Sequence, residues 1–298
     1  MTVMRVKLLA CLLAFLIGAS GGAFGDDRIV VAGSTTVKPV VELGLTFFKK
    51  SHLEVEVVVG AGGSGQGIHL VGSGTANIGM SFRPLDAQQR EQFPDLVTHT
   101  IGLDGVVIVA NQGNPIRGLS TQQIQNIYAG KIVNWKEVGG SDREIALITL
   151  NHNHGTSEVF SNYFGLEVKE SGTGLNLTAT FRKRGELAYS SSTAKVIEDH
   201  RQVLAEILTN PNAIGYVSIG QAMQVTQRGA RVRLLELDGI TPTIPNVQAG
   251  VYRFSRPLML ITKGEAKGRI RELIDFFCGT QGQVIVSELD YIPLGAKR

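Results

Sequence analysis

Short apolar runs alternate along the chain with stretches whose apolar residues recur at helical spacing. Ile29-Val30-Val31-Ala32 predicts a buried strand. Gly33-Ser34-Thr35-Thr36 then turns the chain into a helix. Val37, Val41, Leu45 and Phe48 fall on one face of it, and Pro39 is tolerated in its first turn. Val55–Val59 predicts the next strand, and the glycine-rich segment Gly60–Gly67 leads to a helix from Ile68 to about Ser73. Ile78–Ser81 predicts a third, short strand. This β-α-β-α-β rhythm is that of an α/β protein, with a parallel or mixed sheet and helices on its faces.

The pattern continues with a strongly apolar strand at Gly105–Ala110 and a turn at Asn111–Pro115. Ser120 and Thr121 open a helix through Ile124 and Ile127, and Ile145–Leu150 predicts a strand. A helix is expected over Ser157–Gly165 and a strand over Ala213–Val217. A returning strand is expected within residues 251–263, centred on Leu258–Thr262, then helices over Ile270–Phe277 and Gln283–Leu289. No repeat of fixed period is present, and no Pro- or Ser-rich linker divides the chain. Two lobes without a linker imply strands that cross directly between them. The crossings are expected at Val106–Ala110 and near Val247–Tyr252. Residues 27–105 plus 245–298 would then form lobe I, and residues 106–244 lobe II.

Composition narrows the class. The 298 residues are 43% hydrophobic and 18% charged, enough apolar content to fill a core. Gly is abundant at 36, as tight turns between strands and helices require. The net charge of +3 gives no basic field for nucleic acid. Two Cys exclude both a disulfide-rich scaffold and a four-Cys zinc site.

Residues 1–25 read as a secretory signal peptide: Arg5 and Lys7, an apolar run from Leu8 to Ala19, then small residues. The run is shorter than the ~20 residues of a spanning helix. Leu8-Leu9-Ala10-Cys11 looks like a lipoprotein cleavage site, but the apolar run continues past Cys11, which argues against lipidation. The mature chain is expected to be periplasmic or secreted. Losing Arg5 and Lys7 lowers its net charge from +3 to +1. It keeps Cys278, expected to be buried on a helix face with Leu273, Ile274, Phe276 and Phe277.

Three turns rich in Gly, Ser and Thr leave a strand and enter a helix: Gly33–Thr36, Gly62–Gly65 and Gly155–Ser157. Helix N-termini expose unpaired backbone N–H groups and positive potential, and hydroxyls add donors, a combination that suits a compact oxyanion. For any one such turn, capping of its own helix is the simpler explanation. None is a Walker A loop or a dinucleotide fingerprint. His152 and His154 have a spacing that metal sites use, but no third or fourth ligand completes a motif. No Gly-x-Ser-x-Gly elbow is present, so no enzyme motif, metal site or cofactor is expected.

Nearly all of the mature chain resembles the phosphate-binding proteins of bacterial Pst-type ABC importers, within the periplasmic binding protein superfamily. The resemblance rests on Gly33–Pro39, Gly63–Ile68, Ile78–Leu85, Asp104-Gly105, Leu119–Trp135, Ala213–Ser218, Tyr252–Leu258, Lys263-Gly264, Gly282-Gln283 and Ile292–Leu294. Its most specific stretch is Leu119–Trp135. The resemblance implies two α/β lobes joined by crossover strands, with the anion in the cleft between them. It also implies an exported receptor that captures inorganic phosphate or a similar oxyanion, performs no chemistry, and delivers it to the permease of an ABC importer. By the same resemblance, Thr35, Thr36 and Ser64 give hydroxyl and backbone donors from one lobe, and Gly155 and Thr156 give backbone donors from the other.

The chain departs from the family at several positions. Where the family often carries an Arg before the third loop this chain has Leu150, and its Ser position is His154. Where some members carry an Asp that accepts from protonated phosphate, this chain has Phe82, followed by Arg83. Arg83 and His154 are the expected compensating donors, at the edge of the site. The competing readings are a binding protein of the same fold for another ligand or for a sensory or adhesive role, and a secreted metal-dependent phosphohydrolase using His152 and His154.

Overall fold

The computed structural model describes residues 28–152 and 154–295; the expected leader at 1–25, with Cys11, lies outside them. The chain opens with β1 (Arg28–Gly33), α1 (Lys38–Phe48), β2 (Glu56–Ala61), α2 (Gly63–Gly72), β3 (Ile78–Ser81), α3 (Ala87–Gln92) and the long β4 (Leu96–Asn111). It continues through β5 (Gly118–Leu119), α4 (Thr121–Tyr128), β6 (Ala146–Leu150), α5 (Gly155–Tyr163), β7 (Leu166–Ser171), β8 (Thr178–Lys183) and β9 (Ala194–Ile197). Then come α6 (His200–Thr209), β10 (Ala213–Ser218), α7 (Ile219–Gln227), β11 (Val232–Leu234), β12 (Glu236–Leu237) and α8 (Ile244–Gln248). The chain returns through β13 (Ser255–Lys263) and ends in α9 (Gly268–Cys278) and α10 (Thr280–Glu288).

The strand order is β2-β1-β3-β13-β4-β10-β6-β9-β8-β7, with β11 on β4. β1 runs parallel to both β2 and β3, whereas β13 and β4 run antiparallel, so the sheet is mixed. β4 and β13 pair from Leu96 opposite Lys263 to Gly105 opposite Ser255. Beyond Gly105, β4 pairs with β10 instead, from Val106 opposite Ser218 to Ala110 opposite Ile214. One strand therefore serves both halves of the molecule.

Each half has its own core. Val31, Val41, Phe48, Ile101, Leu260 and Phe277 belong to the first, and Val106, Ile148, Phe160, Tyr216 and Phe254 to the second. Val247 and Tyr252 also pack in the second core, so the stretch after 245, expected to belong with the N-terminal part, lies on the other side until β13 begins. Ile292 packs there too, although the C-terminal helices before it lie on the first core.

In α1, Val40, Val41, Leu45 and Phe48 are buried, with Pro39 in the first turn, where a missing N–H breaks no bond. A Cβ on Gly44 would lie 2.2 Å from the Phe277 ring, so this glycine lets α1 approach α9. α2 begins at Gly63, not at Ile68 as expected, because weak intrinsic helix formers are held in place by packing. A Cβ at Gly67 would lie 2.7 Å from the Ala32 carbonyl, so the helix rests directly on the strand ends. α5 likewise begins earlier than the sequence implies, at Gly155.

Cys278 is exposed, against the expectation of burial. It is the last residue of α9, one position past buried Phe277, and its thiol approaches the Thr100 carbonyl at 3.7 Å. Among the described residues, no helix is long and apolar enough to cross a membrane.

Candidate anion site

Where β4 and β13 pass between the two cores, a cavity of about 360 Å³ opens. Thr35 and Thr36 line it from the start of α1, and His154, Gly155 and Thr156 from the start of α5. Asp104 on β4 and Arg256 on β13 form its floor, and Tyr291 adds a wall.

Both helix starts are built by local capping. The buried Ser34 hydroxyl accepts from the Thr36 and Val37 amides at 3.2 and 3.4 Å. The Thr36 hydroxyl therefore remains the polar group this residue turns to the cavity. It faces Gly155 so closely that a Cβ there would lie 2.5 Å from Thr36 Oγ1. Gly155 brings the two helix starts together without a side chain between them. At α5, His154 Nδ1 accepts from the Thr156 amide at 3.2 Å, capping the helix. A ring nitrogen that accepts carries no proton, so His154 is the neutral tautomer with its proton on Nε2. The aromatic stack of Phe160 on Tyr216, 3.9 Å between ring centres, anchors α5 to β10.

Asp104 and Arg256 stand directly opposite each other in the β4–β13 register. Arg256 Nε donates to Asp104 Oδ2 at 2.9 Å, and a second guanidinium nitrogen lies 2.8 Å from the same oxygen. The third nitrogen donates to the Gly155 carbonyl at 3.1 Å. The guanidinium also lies 4.6 Å from the centre of the Phe82 ring. One buried cation thus ties both crossover strands to the start of α5 and to the loop after β3. The Tyr291 hydroxyl donates to the Thr36 carbonyl at 3.1 Å, and burial pushes its pKa well up, keeping it protonated.

His200, at the start of α6, shares a hydrogen bond of 3.2 Å with Thr156 Oγ1 and lies 4.7 Å from the His154 ring. Burial, and then the neighbouring His154, push its pKa down to about 3. Burial, and then Arg256, lower that of His154. Unfolded, both titrate near 6.5. Below that pH the unfolded chain binds more protons than the folded one, so stability rises with pH through this window and is lost on acidification. The urea midpoint should fall between pH 7 and 5, above most carboxylate titrations, and His200→Gln should flatten that slope. Equal slopes in both proteins would show that His200 titrates normally.

Thr35, Thr36, His154, Gly155 and Thr156 come together at this cavity; Ser64 and Arg83 are not among its lining residues. Ser64 is buried at the start of α2, and its hydroxyl accepts from the Phe82 amide at 3.2 Å. Arg83 turns to its own loop, donating to Gln89 Oε1 at 3.0 Å and to the Pro84 carbonyl at 3.2 Å. Leu150 is packed in the second core. His152 pairs with Glu170 at 2.6 Å, apart from His154 in the cavity. Among the described residues, no group of three or more His, Cys, Asp or Glu side chains could hold a metal ion.

Sequence reasoning assigned no role to Asp104 and Arg256. Their signal was a charge inside each apolar crossing strand, since buried charges are rarely unpaired. His200 and Tyr291 carried no local signal; the fold brings them to the cavity.

Several known proteins are similar to this chain. The phosphate-binding protein PstS of Bacillus subtilis (strain 168) is 28% identical over 277 residues, covering 93% of this chain and 84% of the relative. An ABC-type phosphate transport receptor from Vibrio cholerae superposes with a TM-score of 0.74 at 29% identity, covering 89% of this chain and 99% of that one. A structure from Clostridium perfringens with bound phosphate matches with a TM-score of 0.61 at 28% identity, over 90% of this chain and 100% of that one. These likenesses agree with a two-lobed α/β architecture. A family model for the PBP superfamily domain matches residues 18–280, and the chain belongs to that superfamily.

Proposed function

We propose that this protein is an exported solute-binding receptor that captures inorganic phosphate between its two lobes and delivers it to an ABC importer. The observation that carries the reading is the convergence of two helix N-termini, from different cores, on one polar cavity. The similarity to phosphate-binding and phosphate transport proteins supports phosphate as the anion. In this reading Thr35, Thr36, His154, Gly155 and Thr156 hold the anion, while Ser64 acts through Phe82. Arg83 is turned to its own loop and takes no part in holding the anion.

The site binds and releases without chemistry. Lobe I, residues 27–105 with the chain from β13 onward, and lobe II, residues 106 to about 254, hinge where β4 and β13 cross. An anion that contacts both helix starts stabilises the closed arrangement by its greater affinity for it. Donors from neutral groups suffice for a desolvated anion, because hydrogen bonds to an ionised acceptor are the strong ones. Residues 1–25 act as the signal peptide that takes the chain out of the cytoplasm.

Calorimetry of the protein lacking residues 1–25 against phosphate, arsenate, sulfate and molybdate tests this. Phosphate should bind with one-to-one stoichiometry. A titration in which phosphate gives no binding heat at any temperature, and causes no thermal shift, would sink the reading.

A further inference from the structure

A separate cavity of about 320 Å³ lies on the second core and shares no lining residue with the anion cavity. Tyr163, Leu237, Ile240, Val251 and Tyr252 give it apolar and aromatic walls, and Asp238 and Arg253 bring its charges. Leu237 and Tyr252 belong to the second core, and Tyr163 and Ile240 pack against it. The cavity is therefore built on one half of the molecule and does not depend on how the halves close.

Its walls are fixed before any ligand arrives. Leu237 and Ile240 exchange both backbone hydrogen bonds, at 3.0 and 2.9 Å, across the turn at Asp238, whose backbone is left-handed with φ 51°. The Val251 and Tyr252 amides both donate to the Asn246 carbonyl at 2.9 Å. The Tyr252 hydroxyl donates to the Val106 carbonyl at 3.0 Å, and the Tyr163 ring lies 4.8 Å from that of Phe254, centre to centre. A preformed apolar hollow with a few polar groups is the usual form of a small-molecule site.

The two charges are not equivalent. Asp238 is engaged at both oxygens: Oδ1 accepts from the Thr121 amide at 2.8 Å and Oδ2 from the Thr121 hydroxyl at 2.5 Å. Arg253 is exposed and has no hydrogen bond or ion pair among the described residues. Val251, 49% exposed, is a large apolar side chain left without cover at the same place. The free charge is thus positive and stands beside uncovered apolar surface and aromatic rings. We propose that this cavity binds a small aromatic carboxylate, its flat ring against Tyr163, Leu237 and Val251 and its carboxylate on Arg253. A ring meets the tyrosines in offset or edge contacts, and the guanidinium pairs with a carboxylate and repels a cation. A bare inorganic anion would leave the apolar walls uncovered. This inference stands independently of the phosphate reading.

The test titrates benzoate into the purified protein and follows binding by NMR. Benzoate should bind saturably with a Kd of about 10 mM or tighter. Acetate, without the ring, and benzyl alcohol, without the charge, should each bind at least roughly 3-fold more weakly. Arg253→Met keeps an apolar stem and removes the cation. It should weaken benzoate roughly 3- to 10-fold and leave benzyl alcohol unchanged. Val251→Asp, which removes apolar wall and adds a like charge, should weaken benzoate at least about tenfold. Both positions are exposed, so both variants should keep the fold, as their thermal midpoints check; if one does not fold, the other decides. Saturating phosphate should leave benzoate binding unchanged. Displacement by phosphate would put benzoate in the anion cavity and overturn the inference. No saturable binding up to about 10 mM overturns it too, as does an unchanged benzoate affinity in a folded variant.

Discussion

Arg256→Met should lower the free energy of unfolding by about 3–5 kcal/mol, because it leaves the Asp104 carboxylate buried without its countercharge. That is a large part of the roughly 5–15 kcal/mol that holds a typical protein folded. The two side chains are 2% and 6% exposed, so water cannot take over the role of the missing partner. Replacing both residues, as Asp104→Leu with Arg256→Met, should recover most of the loss, since two desolvation penalties vanish together. A residue of about 1 kcal/mol should remain, from the hydrogen bond that Arg256 gives the Gly155 carbonyl. Urea unfolding of the two variants decides the matter. If the double variant is as unstable as the single one, packing against Phe82 and not charge pairing is what Arg256 supplies.

The difference between that pair and the parts legible in the sequence is one of range. Helix α1 is written in its own residues: the face from Val37 to Phe48 needs only the helical period. The start of α4 is equally local, with Ser120 and Gln123 capping each other as their spacing implies. Asp104 and Arg256 are 152 residues apart and meet only because the antiparallel register of β4 and β13 sets them opposite. Spacing along the chain holds no record of such a register.

The hairpin of β7 and β8 was missed for another reason. Glu167, Lys169 and Glu170 interrupt the apolar pattern of β7, which ends the sheet and carries charges as edge strands do. The glycine-rich start of α2 was legible as a special segment, but its purpose was only half visible. Glycine there serves contact with β1 and β3, while the exposed N–H groups that suggested an anion loop are a consequence of any helix start. Cys278 shows the limit of face arguments at a helix end, where one further residue turns from the core toward solvent.

Thr36→Val should weaken phosphate binding by roughly 10- to 100-fold, whereas Ser64→Ala should act mainly on stability, costing about 1–3 kcal/mol. Both hydroxyls belong to residues that the sequence singles out equally, and the structure gives them different surroundings. Thr36 is buried in the cavity wall, its amide already turned to Ser34, its hydroxyl facing the start of α5. Valine keeps the volume and removes only the polar group, so the fold should be retained. Ser64 instead accepts from the Phe82 amide, and alanine would leave that donor without its partner. The loss would loosen the ring that lies against Arg256, and any effect on the anion would pass through that contact. Calorimetry with phosphate and urea unfolding, run on both variants, separate the two roles. If Ser64→Ala loses as much affinity as Thr36→Val while its unfolding midpoint is unchanged, Ser64 touches the anion directly. The start of α2 would then have to close onto the cavity when the anion binds, making it a third helix terminus at the site.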